Sequence, residues 1–219
     1  MEYRNFGKIN KAVIYGDSIS TRNHGNGGYE TLLKEKLQIR EIYNYAVGSS
    51  GISRTTPNSL SGLLERQENI HKDSDLIIIW HGSNDWYWGA PLGSLNSKDE
   101  NTFYGAVKSS INKLKETCPN AVIVFLTPIF RYETPDKCSK KEEGYISKNS
   151  AGLTLKAYYD AIMELSVILG FFTIDMRKYT NFQYYNAEKY FEDYVHPCEA
   201  GYKKICNIIA SHIDLLDFD

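Results

Sequence analysis

Apolar residues along this chain gather into short continuous runs, and between the runs they recur with a helical period. The runs at 12–15, 42–46, Leu76–Trp80, 121–126 and 171–174 are bounded by polar or glycine-containing segments, as expected of strands covered on both faces. Apolar positions then recur every three to four residues over 29–37, 103–116, 154–169 and 201–213, with a further helical stretch near 60–70. Strand and helix therefore alternate. That alternation predicts a three-layer α/β/α sandwich around a central, mostly parallel five-stranded sheet, doubly wound in the flavodoxin-like manner. A chain of 219 residues can bury a substantial core, so one domain over 1–219 is expected. The stretch 137–150 is charged, carries Gly and Ser, and reads as a mobile loop.

Composition narrows the function classes. Acidic and basic residues are mixed along the chain and nearly balance, 27 against 25, which gives no electrostatic case for nucleic acid or an anionic membrane surface. The longest mostly apolar segment, 165–174, is about half the roughly twenty residues a spanning helix needs, and it contains Ser166, Gly170 and Thr173. The first residues lack the apolar stretch and small-residue cleavage site of a secretory signal. Cys118, Cys138, Cys198 and Cys206 show no Cys-x-x-Cys spacing. Together these features predict reduced thiols and a cytoplasmic location.

Two short segments carry the chemistry. Residues 16–20, Gly-Asp-Ser-Ile-Ser, put Ser18 directly after the first predicted strand, and residues 193–197, Asp-Tyr-Val-His-Pro, set His196 three residues after Asp193. A serine hydroxyl is a weak nucleophile and needs a neighbouring base. Histidine titrates near working pH, and a carboxylate on its far nitrogen fixes the tautomer and stabilises the imidazolium. Pro197 disfavours helix at His196, so a tight turn is expected there. Acyl transfer also needs donors for the oxygen that becomes negative. The Asn84 amide follows Leu76–Trp80, and the small-residue turn after the second strand, Gly48-Ser49-Ser50-Gly51, can bring backbone N–H groups close to a ligand. Ser18, Gly48 and Asn84 all follow strands, and in doubly wound sheets ligands bind beyond the carboxyl ends of strands.

Gly-Asp-Ser-Ile-Ser, the glycine turn, Gly-Ser-Asn-Asp at 82–85 and Asp-Tyr-Val-His-Pro stand in the order, and at about the spacing, of the four blocks of the SGNH hydrolases, or GDSL esterases/lipases. The chain resembles that family over nearly its whole length. The resemblance implies Ser18 as nucleophile, His196 as general base and Asp193 as its partner. It implies an oxyanion hole from the Ser18 N–H, the N–H of Gly48 or Ser49, and the Asn84 side chain. Ile19 stands where the family usually has Leu. The implied activity is a serine esterase that hydrolyses an acyl ester through an acyl-enzyme, without cofactor or metal. An acetyl ester on a carbohydrate is the preferred substrate, with lysophospholipase and thioesterase as alternatives within the family.

Other residues have competing roles. Trp86 and Trp88 follow Asn84, and with His81 and Asp17 they are expected to contact substrate; Asp17 and Asp85 can instead bond nearby turn backbone. His24, His71, His81 and His212 compete with His196, and Asp175, at the end of the last strand, competes with Asp193. A flavodoxin-like binding protein, with Ser18, Ser20 and Thr21 cradling phosphate, would share the topology but leave Asp193 and His196 without a task. A carbohydrate-binding protein without catalysis is the other non-enzyme reading. Metal-ligand spacings, the Gly-x-Ser-x-Gly elbow and a Walker-type Gly-Lys-Ser/Thr are absent from the sequence.

Overall fold

The computed structural model describes residues 3–218. Strands β1 (Lys11–Gly16), β2 (Glu41–Asn44), β3 (Leu76–Trp80), β4 (Val122–Leu126) and β7 (Phe172–Ile174) form one parallel sheet in the order β2-β1-β3-β4-β7. A separate two-stranded ladder pairs β5 (Tyr132–Glu133) with β6 (Glu142–Glu143). The helices are α1 (Glu30–Leu37), α2 (Leu60–Leu63), α3 (Ser83–Trp88), α4 (Phe103–Thr117), α5 (Leu155–Leu169), α6 (Met176–Thr180), α7 (Ala187–Tyr190) and α8 (Glu199–Ile213). The expected α/β architecture and five-stranded parallel sheet are both present.

Side-chain alternation along each strand divides the interior into two cores. Ala12, Ile14, Leu76, Ile78 and Trp80 face α1 and α8 through Leu33, Leu37, Tyr202, Ile205 and Ile209. Val13, Tyr15, Ile77 and Ile79 face α4 and α5 through Phe103, Val107, Ile111, Tyr158 and Ile162. Both faces of the central strands are thereby dry, which is why their sequences are continuous apolar runs.

Boundaries depart from the pattern where a polar side chain captures backbone. β2 ends at Asn44 because the Asn44 Oδ1 accepts the Ala46 N–H and turns the chain. The helical stretch at 60–70 is two pieces, α2 and a 3₁₀ turn Gln67–Asn69, with the Asn69 amide donating to the Leu63 carbonyl between them. The segment 137–150 is tied down rather than free. It contributes β6, the Ser147 carbonyl accepts from the Trp86 indole, and the Asn149 amide bonds the Trp86 carbonyl and the Tyr158 hydroxyl.

The chain leaves β1 toward β2 on one side and returns to β3 on the other, so the sheet order reverses about β1. Such a reversal opens a crevice beyond the carboxyl ends of β1 and β3. Among the described residues no helix is long and apolar enough to cross a membrane.

Candidate active site

β1 delivers Ser18 to that crevice through a turn that its sequence dictates. Gly16 must lack a side chain, because a Cβ there would stand 2.3 Å from the Ser20 hydroxyl. Asp17 caps the 3₁₀ turn Ser18–Ser20 by accepting the Ile19 N–H at 2.9 Å. From α8 the Tyr202 hydroxyl donates to the Ile19 carbonyl, and from beneath the Tyr29 hydroxyl reaches the Ser20 hydroxyl. Ser18 itself is half-buried.

His196 and Asp193 sit in the turn between α7 and α8. The Glu192 N–H donates to the His196 carbonyl, Phe191 bridges Pro197, and the Cys198 N–H donates to the Tyr190 carbonyl. Tyr194 takes a left-handed φ of 67°, and its carbonyl accepts the Tyr132 N–H from β5. Within this clip Asp193 Oδ1 accepts the N–H groups of Val195 and His196, and Oδ2 lies 2.7 Å from His196 Nδ1. Burial pushes the Asp193 carboxyl up, but these N–H bonds outweigh it and hold the group below the usual carboxylate range. An acceptor at Nδ1 puts the ring proton there and leaves Nε2 free to accept. Nε2 stands 3.0 Å from the Ser18 Oγ.

A second imidazole lies flat on the first. His24 stacks on His196 with ring centroids 4.0 Å apart and planes 9° from parallel. Its Nδ1 bonds Glu192 at 2.9 Å, and the same carboxylate accepts the Gly25 N–H. The Glu192–His24 pair was not legible as such in the sequence.

Opposite Ser18 stands the small-residue turn. The Val47 N–H donates to the Gly16 carbonyl, and the Ser50 hydroxyl bonds the carbonyls of Val47 and Gly16, which fixes the turn against β1. Gly48 and Ser49 form its exposed corner, Ser49 with φ 63°. Asp85 holds the following residues by accepting the N–H groups of Ile52 and Ser53. Asn84, nearly buried, donates from Nδ2 to the Ser50 carbonyl at 3.0 Å and accepts at Oδ1 from Arg131 Nη1 at 2.9 Å. An amide nitrogen carries two protons, and Ser50 takes one.

The substrate contacts expected of Trp86, His81 and Asp17 are not available in this geometry. Trp86 is fully buried, its indole donating to the Ser147 carbonyl, because the helix of α3 turns that ring into the core. His81 is buried beneath the Ser50 backbone, and burial pulls its pKa down to about 3. Asp17 spends its carboxylate on the turn, and burial raises its pKa to about 6. Trp88 differs. It is half-buried and its indole donates to the Ser49 carbonyl at 3.0 Å, beside the exposed corner.

Of the competing residues, Asp175, His71 and His212 are engaged elsewhere. Asp175 caps α6 through the Lys178 N–H and accepts from the Tyr159 hydroxyl. His71 stacks on Tyr43, and His212 donates to the Ile208 carbonyl. Two cavities of about 400 Å³ each flank the turn. One is lined by Thr21, Arg22, Asn23, Asn44 and Ala46, the other by residues that include Val47, Thr56, Asn58 and Ser59. Among the described residues no three His, Cys, Asp or Glu are grouped to hold a metal ion.

Comparison with known proteins agrees with this architecture. A model of the GDSL-like lipase/acylhydrolase family matches residues 14–204. A Lactobacillus plantarum protein solved as a structural-genomics target is similar with a TM-score of 0.81 at 24% identity, over 94% of this chain and 97% of that one. A Chitinophaga pinensis protein described as a possible lipase gives 0.74 at 18% identity over 95% and 99%. The acetyl xylan esterase AlAXEase gives 0.65 at 22% identity over 93% and 99%. At these identities the likeness shows a shared fold. No curated protein matches the chain in sequence.

Proposed function

The chain belongs to the GDSL-like lipase/acylhydrolase family, and on that premise we propose that it is a serine esterase removing a short acyl group, acetyl by preference, from a carbohydrate. The observation that carries this reading is the unbroken relay from Asp193 through His196 to Ser18, with links of 2.7 Å and 3.0 Å. Ser18 Oγ forms a bond to the ester carbonyl carbon while its proton passes to His196 Nε2. Negative charge then develops on the carbonyl oxygen. The Ser18 N–H, an N–H at Gly48 or Ser49, and the second Nδ2 proton of Asn84 stabilise it by donating hydrogen bonds. As the tetrahedral adduct collapses, the carbon–oxygen bond to the alcohol breaks and His196 returns the proton to the leaving oxygen. Water repeats the cycle on the acyl-enzyme and releases the acid. Every proton in this sequence moves among Ser18, His196, substrate and water.

The polar cavity beside the nucleophile turn supports a hydroxyl-rich alcohol. Thr21, Arg22, Asn23 and Asn44 line it, and a polar lining suits a sugar better than an acyl chain. The half-exposed Trp88 ring at Ser49 offers an amphipathic face of the kind that suits a sugar ring. The acetyl xylan esterase that shares the fold acts on such an ester.

A fluorophosphonate probe tests the chemistry, and acetylated xylo-oligosaccharides against aryl palmitate test the substrate. Wild type is expected to be labelled on Ser18, and Ser18→Ala and His196→Ala to lose both labelling and acetate release while remaining folded. Acetate release by Ser18→Ala at the wild-type rate rejects the nucleophile, and faster turnover of palmitate than of acetate rejects the substrate class.

A further inference from the structure

We propose that Arg131 is a positioning residue of the oxyanion hole, which forbids the Asn84 amide from flipping and so keeps its N–H, not its C=O, aimed into the cleft. The proposal rests on the esterase reading above and adds a residue that its sequence motifs do not contain.

The argument is one of donors and acceptors. Asn84 lies between two groups of opposite and fixed character. The Ser50 carbonyl can only accept, and it takes a proton from Nδ2 at 3.0 Å. A guanidinium can only donate, and Arg131 Nη1 gives its hydrogen bond to Oδ1 at 2.9 Å. Flipping the amide by half a turn would set oxygen against oxygen on one side and N–H against N–H on the other, losing two buried hydrogen bonds at once. The remaining Nδ2 proton is thus held in one direction. A flipped amide would present a lone pair to a developing oxyanion, the reverse of what catalysis needs.

Arg131 is itself built in rather than passing by. It is 7% exposed, follows β4 at the same carboxyl edge of the sheet as the other site residues, and also bonds the Ser83 hydroxyl from Nη1 at 3.1 Å. Glu133 takes its Nε at 2.8 Å together with Nη2, which fixes the plane of the fork. The guanidinium carbon lies 4.8 Å from the Tyr87 ring centroid and 5.8 Å from that of Trp86. The aromatics that follow Asn84 in sequence therefore clamp the group that orients it.

The test compares Arg131→Met, which keeps the bulk but removes every donor, with Arg131→Lys, which keeps charge but loses the fork, each in wild-type and Asn84→Ala backgrounds. Arg131→Met is expected to slow fluorophosphonate labelling of Ser18 and to lower kcat for an aryl acetate by about 30-fold, with KM within about twofold, since a misdirected donor costs nearly as much as a missing one. Arg131→Lys is expected to recover part of that loss. In the Asn84→Ala background the same substitutions should change the rate by less than about twofold, because their route of action is gone. The Asn84 side-chain amide signals, assigned by their absence in Asn84→Asp, should exchange with solvent at least about tenfold faster in Arg131→Met, because the loss of a buried hydrogen bond frees the amide. Wild-type labelling by a folded Arg131→Met variant, or an equal loss with and without Asn84, overturns the positioning role and leaves the esterase standing. If Arg131→Met fails to fold, a fully active Arg131→Lys with unchanged amide exchange overturns it. Absence of Ser18 labelling in wild type instead removes the esterase reading, and the proposal with it.

Discussion

His81 makes the protein acid-labile in a way that one substitution should expose. The ring is 2% exposed, its Nδ1 has no hydrogen-bond partner among the described residues, and burial lowers its pKa from 6.5 to about 3. In the unfolded chain the same group takes up a proton as pH falls through 6.5, whereas the folded protein resists until about 3. The unfolded state therefore binds more protons throughout that window, and stability falls as pH falls. The full effect is about 5 kcal/mol at the acid limit, of which about 2 kcal/mol is lost between pH 7 and pH 5. Asp17 acts in the opposite sense. Burial raises its pKa from 3.8 to about 6, so the folded state takes up a proton first and gains about 1 kcal/mol by pH 5. Wild type should then lose less than about 1 kcal/mol over that interval from the two groups combined, with the carboxyl masking more than half of what the imidazole costs. His81→Gln keeps a donor for the Ser50 backbone and cannot titrate. Urea unfolding followed by tryptophan fluorescence, at pH 7 and pH 5 and constant salt, should show the variant about 2 kcal/mol better relative to wild type at the lower pH. Equal pH dependence in the two proteins refutes the reasoning.

Two further outcomes follow from the clip around His196. His24→Ala removes the stacked ring 4.0 Å from His196 and should slow Ser18 labelling about fivefold, the worth of about 1 kcal/mol of aromatic contact; His24→Phe should restore the rate, and an unrestored rate shows that the face-to-face packing is not what matters. Gly201→Ala would place a Cβ 2.3 Å from the Tyr190 carbonyl oxygen and 2.9 Å from the Pro197 Cβ, so it should cost about 1–3 kcal/mol in urea unfolding and slow labelling by displacing the turn; an unchanged midpoint contradicts that contact.

The sheet was legible because its strands are buried on both faces and so declare themselves as unbroken apolar runs. The helices α4, α5 and α8 were legible because one face of each meets the sheet. What periodicity could not reveal is structure made by polar capture. The stop of β2 at Asn44 and the break near Asn69 each depend on a side-chain amide choosing a backbone group. The stretch 137–150 misled for the same reason: its polar composition suits solvent, yet Asn149 is buried and bonds two partners across the fold.

In the site, legibility follows distance along the chain. Asp193 and His196 are joined within four residues, and the two backbone N–H bonds to Asp193 belong to the same turn, so the pair is visible as a local word. Ser18 is legible because the strand-to-turn step that exposes it is also local. Asn84 could be read as a donor at the end of β3, but what aims that donor is Arg131, 47 residues away, and the carbonyl of Ser50, 34 residues away. Neither has a spacing rule. The same logic explains the misplaced aromatics. Trp86 follows Asn84 by two positions on a short helix, and a helix that turns Asn84 toward the Ser50 carbonyl carries the second residue beyond it into the core. Trp88, a further two positions on, returns to the Ser49 corner. A ring on the same face as a residue at a helix start is thus better sought at the fourth position than at the second, because about 3.6 residues complete the turn.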